Sequence, residues 1–304
     1  MSFQEFITCI KEKVQEKSGK EVSIQEIEKN NGIKTYAIIL YSKGETLLPL
    51  LYLEEFYQKY IETEPEVELD AVAAEIIRHY NMYLPKENPE VEDIIGFEGI
   101  QDKLRLKLVN YKNNSNLLKN VPHYKYLDLA VVLVILTENT YSENVHREIA
   151  TILVKENYMG YWKKGKEELF QKAFQNGKDK IEIDSIMSMW KELCPMEAVV
   201  EELDDVMAFP MYVMTNKERL YGASAMLYID ELQRFSDEKE IRKIWIIPSS
   251  IHECILILDR KENFSAEEIK GMIREVNETQ LLPEEILSDN VYMYERNSNE
   301  IKVM

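Results

Sequence analysis

Apolar residues recur along the N-terminal segment at the spacing of an amphipathic helix. Ser2 and Glu5 form a capping box that satisfies backbone donors at the helix start, and Gly19 follows as a stop signal. The apolar positions between them fall on one helical face: Phe3, Phe6, Ile7, Ile10 and Val14. The pattern therefore predicts a first helix that ends at Gly19.

The next segment predicts a β-hairpin. The Asn-Asn-Gly triplet at 30–32 tolerates the positive φ angles of a tight turn, and apolar residues alternate on both sides of it. A further strand is expected over 47–53, where Pro49 indicates an edge or a bulge. A second amphipathic helix is expected over 69–80, followed by a proline-containing loop over 84–92.

The middle of the chain predicts mixed α and β structure. Two apolar runs, 127–137 and 149–154, fit either strands or buried helix, and their valine and isoleucine content favours strands. Leucines alternate over 104–108, which predicts another strand. Helices are expected over 167–174 and 183–193.

The C-terminal third alternates between short strands and helices. Ser265 is a predicted N-cap, with Glu267 and Glu268 in the first turn of the helix that follows. Strands are predicted over 211–214, 223–228, 244–247 and 252–258, helices over 230–235 and 266–276, and a closing hairpin over 291–303.

These elements predict an α+β fold with mainly antiparallel strands and helices packed on them. Each long helix has one apolar stripe and most strands have a polar side, which is the pattern of a two-layer arrangement. Pro195 and the acidic stretch 201–205 mark a candidate boundary, although a charged helix there fits equally well. We therefore expect two lobes, an N-terminal lobe at 1–198 and a C-terminal lobe at 199–304.

The charge of the chain argues against nucleic acid and membrane partners. The 304 residues include 37 Lys and Arg and 55 Asp and Glu, which gives a formal net charge of −18. Such a field repels phosphate backbones and anionic lipid surfaces unless a basic patch overcomes it, and the basic residues are interleaved with acids. Solubility is the simplest reason for the acidity, whereas a continuous acidic stripe would indicate a mimic of nucleic acid.

The cysteines and the N-terminus predict a cytoplasmic location. Cys9, Cys194 and Cys254 are widely spaced and odd in number, which fits a reducing compartment. The opening MSFQEF has neither the basic region nor the apolar region of a secretory signal. The longest apolar run, 129–136, is too short to cross a bilayer.

Sequence motifs for catalysis, metal binding and nucleotide binding are absent. The chain has no GxGxxG or GxxxxGK(S/T) loop, and only ten glycines are available for close backbone contacts with phosphate. It also has no HExxH spacing, no calcium loop and no GxSxG elbow. We therefore predict no cofactor, no metal site of His and Cys and no motif-encoded catalytic residue, while a carboxylate site for a hard cation stays open.

The most suggestive histidine is His252, which lies close to Ser249, Ser250 and Glu253 along the chain. Geometry decides whether a serine and a histidine form a nucleophile–base pair, and neighbours in a strand point to opposite faces. The favoured interpretation is that Pro248-Ser249-Ser250 is a turn and that His252 begins a strand.

The polar string 277–289 is the other candidate site. Its side chains fit a recognition surface, because binding residues are often found in loops. They also fit structural roles, with Asn277 as a helix C-cap and Pro283 starting a helical turn. The candidate binding residues of the chain are therefore Ser249, Ser250, His252, Asn277, Thr279, Gln280, Ser288 and Asp289.

Several stretches of the chain resemble one protein family. The runs IPSSIHECILIL and IREVNETQLLPEEILSDNVYMYER are similar to the C-terminal signature of domain-of-unknown-function family 5688. LLYLEEFYQKY, NVPHYKYLDLA and MYVMTNKERLYGASAML extend the resemblance over nearly the whole chain. The family is found mainly in anaerobic Gram-positive bacteria, so the resemblance implies a cytosolic bacterial protein and a single evolutionary unit. Because the family has no assigned activity, no catalytic residue follows from it.

Three functional hypotheses follow from the sequence. The first is a non-enzymatic binding or regulatory protein with a protein or peptide partner, because catalytic motifs are absent and surface acids and aromatics are abundant. The second is a hydrolase or metal-dependent enzyme whose site is assembled from dispersed residues, including His252 and Asp289. The third is an acidic mimic of nucleic acid.

Overall fold

The computed structural model describes residues 1–41, 48–62, 68–84, 96–139, 148–188, 211–259 and 265–304. It contains helices and antiparallel strand pairs in the same chain, which confirms the α+β class predicted from the sequence. The chain divides into two compact units, Met1–Ile100 with Leu136–Ile152, and Gln101–Ile135 with Leu153–Met304.

The first unit packs helices against a small antiparallel sheet. Its helices are α1 (Phe3–Ser18), α2 (Leu53–Glu62), α3 (Leu69–Tyr83) and the short α4 (Phe97–Ile100), and its sheet has the order β1 (Glu21–Glu28), β2 (Lys34–Tyr41), β3 (Leu51–Tyr52). The core combines the inner face of α1, including Phe6 and Ile10, with Ile38 and Leu40 of β2. Tyr80 of α3 is fully buried, and its hydroxyl donates to the Leu40 carbonyl at 2.6 Å.

Local signals in the sequence predicted this unit well. The capping box of α1 is present, with Ser2 Oγ accepting from Glu5 N at 3.4 Å. The β1–β2 hairpin is confirmed, and Asn31 and Gly32 in its turn have φ angles of 62° and 71°. The strand expected over 47–53 is limited to Leu51–Tyr52 at the edge of the sheet, and residue 47 and most of the loop over 84–92 lie outside the described residues.

The rest of the chain supplies ten strands and four helices to the described structure. In chain order they are β4 (Leu104–Asn110), β5 (His123–Tyr126), β6 (Leu129–Asn139), β7 (Glu148–Leu153), α5 (Glu156–Trp162), α6 (Lys166–Gly177), β8 (Ile181–Ser185), β9 (Met211–Asn216), α7 (Ile229–Glu238), β10 (Lys243–Ile247), β11 (Cys254–Leu258), α8 (Ala266–Thr279), β12 (Tyr292–Glu295) and β13 (Glu300–Val303).

Six of these strands form one antiparallel sheet in the order β13–β12–β10–β11–β9–β8. Helix α8 packs on one face of it, because its buried residues Ile269 and Ile273 meet Trp245, Ile257 and Met293. The closing hairpin predicted from the sequence is confirmed as β12–β13.

A second sheet has β6 at its centre, between β4 on one side and β5 on the other, with β7 also paired to β6. The apolar residues of β6 from Leu129 to Leu136 are buried on both faces, so the strand interpretation of this run is confirmed. In β4 the buried leucines alternate with Arg105 and Lys107, which therefore lie on the opposite face of the strand.

One sequence prediction was wrong in part and a second was wrong. The helix expected over 183–193 begins later, because residues up to Ser185 form β8, where Ile183 pairs with Met214 of β9; residues 186–188 are helical, and the part beyond residue 188 lies outside the described residues. The strand expected over 223–228 is instead a 3-10 helix, Gly222–Leu227. Its first five residues are buried, and a Cβ atom at Gly222 would overlap Thr215 and the His252 carbonyl.

The lobe boundary predicted near residue 200 stays a prediction. Strand β8 lies before it and β9 after it, and the two strands pair in one sheet. Pro195 and the acidic stretch 201–205 lie outside the described residues.

Candidate functional site

The serines before His252 form a turn. Ser249 N donates to the Ile247 carbonyl at 2.9 Å, and Ser250 N donates to the Glu253 carbonyl at 3.3 Å. Ser250 is buried, and its Oγ accepts from His252 N at 3.0 Å. Strand β11 begins at Cys254, so the turn holds His252 just ahead of the strand rather than inside it.

The imidazole of His252 is positioned by two neighbouring residues, Tyr221 and Glu285. Nδ1 accepts from Tyr221 N at 3.3 Å, and the His252 and Tyr221 rings stack with centroids 5.6 Å apart at 16°. Nε2 lies 3.9 Å from Glu285 Oε1. Burial lowers the pKa of His252 below its usual value, an effect that Glu285 opposes and Lys107 reinforces. The ring is therefore neutral at pH 7, and because Nδ1 accepts a hydrogen bond, Nε2 carries the hydrogen.

Lys107 brings a positive charge to the same place. Its Nζ atom lies 4.0 Å from the centroid of the Tyr221 ring, the geometry of a cation–π contact. The side chain is partly buried, and this burial lowers the pKa of Lys107 to about 8. We call Lys107, Tyr221, His252 and Glu285 the Lys107 cluster.

The loop that carries Tyr221 is held in an unusual backbone conformation. Arg219 and Tyr221 have φ angles of 50° and 55°, in the left-handed region that costs a non-glycine residue roughly 1–2 kcal/mol. Gly222 follows and approaches the neighbouring backbone closely. A Cβ atom there would lie 2.0 Å from Thr215 Oγ1 and 2.5 Å from the His252 carbonyl oxygen. The surrounding packing thus fixes the position of Tyr221 against His252.

An ion-pair network lies beside the cluster along β4. Arg105 Nη2 is 3.2 Å from Glu218 Oε1, and Lys180 pairs with the same carboxylate. Burial opposes ionisation of Glu218, but Lys180 and then Arg105 hold the pKa of this carboxyl below its usual value. Arg105 Nε and Glu218 Oε2 are buried and have no hydrogen-bond partner among the described groups.

A second polar cluster is centred on Asp128, in the turn between β5 and β6. Its carboxylate accepts from Ser288 Oγ at 2.7 Å, Asn290 Nδ2 at 2.9 Å and the Tyr292 hydroxyl at 2.8 Å. Burial, followed by the Asp128 charge, raises the pKa of Tyr292, so this hydroxyl stays a donor. Three donors to one carboxylate fix the segment that precedes β12.

Asn277 continues this polar cluster from α8. Its Nδ2 donates to the Ser288 carbonyl at 3.2 Å and to Asp289 Oδ1 at 2.8 Å. The expectation that Asn277 is a C-cap was wrong, because α8 continues to Thr279 and Gln280 is the cap. Long-range contacts hold Asn277 in the helix, where it is 5% exposed.

Thr279 and Gln280 do not join either cluster. Both are exposed, Thr279 Oγ1 donates to the Glu275 carbonyl at 2.7 Å, and Gln280 Nε2 donates to Thr279 Oγ1 at 3.3 Å. The structure therefore brings Asn277, Ser288 and Asp289 together, leaves Thr279 and Gln280 at the end of α8, and places His252 in a separate cluster.

Cys254 lies at the start of β11 and is buried. Burial raises the pKa of its thiol to about 12, so it is not a thiolate at neutral pH. Across the ranges that the structure describes, no group of three or more His, Cys, Asp or Glu side chains is arranged to hold a metal ion.

Aromatic and basic side chains surround strand β5. Tyr111 and Tyr124 are 37% and 42% exposed. Lys125 Nζ lies 5.0 Å from the Tyr111 centroid, and Lys166 Nζ lies 4.1 Å from the Tyr124 centroid. The rings of Tyr124 and Phe170 meet edge to face at 4.7 Å. We define the β5 surface as Tyr111, His123, Tyr124, Lys125, Lys166 and Phe170.

Sequence reasoning missed Lys107, Tyr221, Glu285 and Asp128. A signal existed for Lys107, because Arg105 and Lys107 alternate with the leucines that predicted β4 and must share its other face. The other three lie in turns and loops, where sequence spacing does not reveal which distant residue they meet.

The fold defines an α+β protein with antiparallel strand pairs. The model of a family of unknown function, DUF5688, matches residues 3–296, so the chain belongs to this family. No curated protein and no solved structure matches the chain. Within the described residues, none of the helices combines the length and the apolarity needed to cross a bilayer.

Proposed function

We propose that the protein is a non-enzymatic binding protein that takes an extended peptide segment of a protein partner along strand β5. The observation that supports this most directly is an edge strand with exposed aromatic and basic side chains on both of its faces. Aromatic residues concentrate in binding surfaces, and peptides commonly add to exposed sheet edges. The cysteines, which are sparse and odd in number, support action in the cytoplasm.

The backbone of β5 has hydrogen-bonding groups directed away from β6. Tyr126 pairs with Leu129 across a two-residue turn, and bonded and non-bonded pairs then alternate along the hairpin. Lys125 is therefore at a non-bonded position, where its N–H and C=O point outward. His123 has the same orientation, and Lys166 Nζ donates to its carbonyl from outside the sheet. This outer edge is a template for one short added strand.

The side chains beside this edge differ between its two faces. Tyr111 and Lys125 lie together on one face, whereas Tyr124 lies with Phe170 and Lys166 on the other. An added strand directs alternate side chains to opposite faces of the sheet. A bound peptide would therefore contact the Tyr111 side and the Tyr124 side with successive residues.

Charge determines the kind of peptide that fits. Both faces carry a lysine ammonium over an aromatic ring, although the chain as a whole has a net charge of −18. A peptide with acidic side chains pairs with Lys125 and Lys166, and its apolar side chains pack on the exposed ring of Tyr124, which the buried Phe170 supports from the other side. We therefore expect an acidic peptide that also contains apolar or aromatic residues.

Selection from a random peptide display library tests this proposal. The wild-type protein is the bait, and enriched peptides are then measured against Lys125→Pro and Lys125→Ala. Proline removes the outward N–H of residue 125, and it is tolerated because this N–H makes no bond to β6. Alanine removes the same side chain but keeps the N–H, so it is the matched control for the backbone contact.

We expect enriched acidic peptides whose affinity falls about fivefold further in Lys125→Pro than in Lys125→Ala, since one hydrogen bond contributes about 1 kcal/mol. Tyr124→Ala should weaken binding as well. Thermal unfolding must show that each variant is folded. A library that yields no peptide distinguishing these variants from the wild type contradicts the proposal.

A second candidate function, an enzyme with a site assembled from dispersed residues, is favoured by the neutral imidazole of His252 beside a carboxylate. That carboxylate belongs to Glu285, whereas Asp289 is bonded to Asn277. A hydrolase substrate screen with His252→Gln as control tests it. Turnover by the wild type that is lost in this variant would favour the enzyme over the binding protein.

A further inference from the structure

The Lys107 cluster contains a partly buried positive charge without a paired anion among the described residues. Lys107 contacts the Tyr221 ring, and in the described part of the chain no carboxylate lies within ion-pairing distance of its Nζ atom. Glu285 is close to His252, and Glu218 is engaged by Arg105 and Lys180. An ammonium group removed from water is costly unless an anion or hydrogen-bond acceptors compensate it.

A second donor lies within electrostatic range of this ammonium. The Nδ1 atom of His252 accepts from Tyr221 N, so the neutral ring presents Nε2–H. Glu285 Oε1 is 3.9 Å away, which is too long for a hydrogen bond. The cluster therefore combines one cation and one neutral N–H donor next to the flat faces of two stacked rings.

The charges around Lys107 indicate the charge of the ligand. Arg105, next on the same face of β4, and Lys180 share Glu218, and Glu285 faces His252. Three cations and two carboxylates leave one net positive charge, with His252 neutral. A monoanion balances this charge, whereas a phosphate dianion would leave an excess negative charge beside Glu285.

We propose that Lys107, Tyr221 and His252 form a binding site for a small monocarboxylate, with the Lys107 ammonium and the His252 Nε2–H group as its two donors. A carboxylate group is planar and has two acceptor oxygens, so it suits a site with two donors next to the flat faces of the stacked rings. The site is separate from the β5 surface and does not depend on the function proposed for that surface.

Binding at this site is linked to protonation of Lys107. Only the ammonium form attracts a carboxylate, and burial lowers the pKa of Lys107 to about 8. The groups facing it are Tyr221, the neutral His252, Glu285 and the Arg105 network. Affinity should therefore fall as pH rises through 8, and a bound anion should raise the Lys107 pKa again.

Trifluoroacetate, followed by fluorine NMR, is the probe, with acetate and inorganic phosphate as competitors. We expect saturable binding to the wild type that acetate displaces more effectively than phosphate at equal concentration. Between pH 7 and pH 9 the affinity should fall about tenfold, which is the loss of the ammonium form for a pKa of about 8. Lys107→Met should lose binding at least tenfold, whereas Lys112→Met, a change at an exposed lysine, should not.

A measurement on the wild type alone keeps the proposal testable if Lys107→Met does not fold. Carbon-13 NMR of reductively methylated lysines follows the titration of Lys107, and saturating trifluoroacetate should raise its midpoint. An unchanged midpoint, binding that persists in folded Lys107→Met, or stronger displacement by phosphate than by acetate would each overturn the proposal.

Discussion

Replacing Lys107 by methionine should stabilise the protein. Burial lowers the pKa of Lys107 from 10.5 to about 8, and each unit corresponds to about 1.4 kcal/mol, so the buried ammonium costs about 3 kcal/mol. The Tyr221 ring offsets about 1 kcal/mol of this cost through the cation–π contact. Methionine has a similar length and no charge, so the expected gain in free energy of unfolding at pH 7 is about 2 kcal/mol.

The pH dependence of this gain separates a charge effect from a packing effect. Between pH 8 and pH 10.5 the unfolded wild type binds more protons at this lysine than the folded one, so wild-type stability rises with pH. The advantage of Lys107→Met should therefore shrink to about 1 kcal/mol at pH 9.5.

Urea unfolding at pH 7 and pH 9.5, followed by tryptophan fluorescence, measures both values, because Trp162 and Trp245 lie in the same unit as Lys107. Lys112→Met, at an exposed lysine, is the control and should change stability by less than about 0.5 kcal/mol at either pH. A destabilised Lys107→Met, or a gain that is equal at both pH values, would refute the reasoning.

Five further substitutions test local packing, hydrogen bonding and helix capping by urea unfolding. Gly222→Ala should cost about 3 kcal/mol or abolish soluble expression, because its Cβ would overlap neighbouring atoms, whereas Gly271→Ala in α8 meets open space and should gain up to about 1 kcal/mol. Asp128→Asn should cost about 3 kcal/mol and Tyr292→Phe about 1.5 kcal/mol, since the first disturbs three hydrogen bonds and the second removes one of them. Ser265→Ala should cost about 1 kcal/mol and increase hydrogen exchange in the first turn of α8, and unchanged exchange there would contradict the capping role.

The elements predicted correctly from the sequence depend on residues that are close together along the chain. The capping boxes of α1 and α8 each need only a serine and a glutamate three residues later. The β1–β2 turn needs only residues that accept positive φ. The valine-rich run of β6 was correctly predicted to be a strand, because a strand buried on both faces is apolar at every position.

The wrong predictions involve contacts between distant segments. The segment Gly222–Leu227 has the apolar composition of a strand, but its close approach to Thr215 and His252 selects a compact 3-10 conformation. Asparagine is a residue type common at helix C-caps, but the side chain of Asn277 donates hydrogen bonds to Ser288 and Asp289 instead. In both cases the local sequence pattern does not show which distant residues the segment contacts.

The Lys107 cluster could not be predicted from the sequence, because its residues are also distant from one another along the chain. His252 was recognised as a candidate, yet its neighbours Tyr221 and Glu285 come from loops that lie 31 and 33 positions away from it. Lys107 is more distant still, on a strand of the other sheet. Only the fold shows that these four side chains meet.

Amide hydrogen exchange of β5 tests the central claim that this protein acts by binding a peptide at the edge of a sheet. A peptide selected on the wild type should slow the exchange of the Lys125 amide, whose N–H points away from β6, by at least about fivefold, because one hydrogen bond of about 1 kcal/mol protects it. Unchanged exchange at Lys125 with a saturating peptide, or protection confined to residues outside the β5 surface, would contradict the claim.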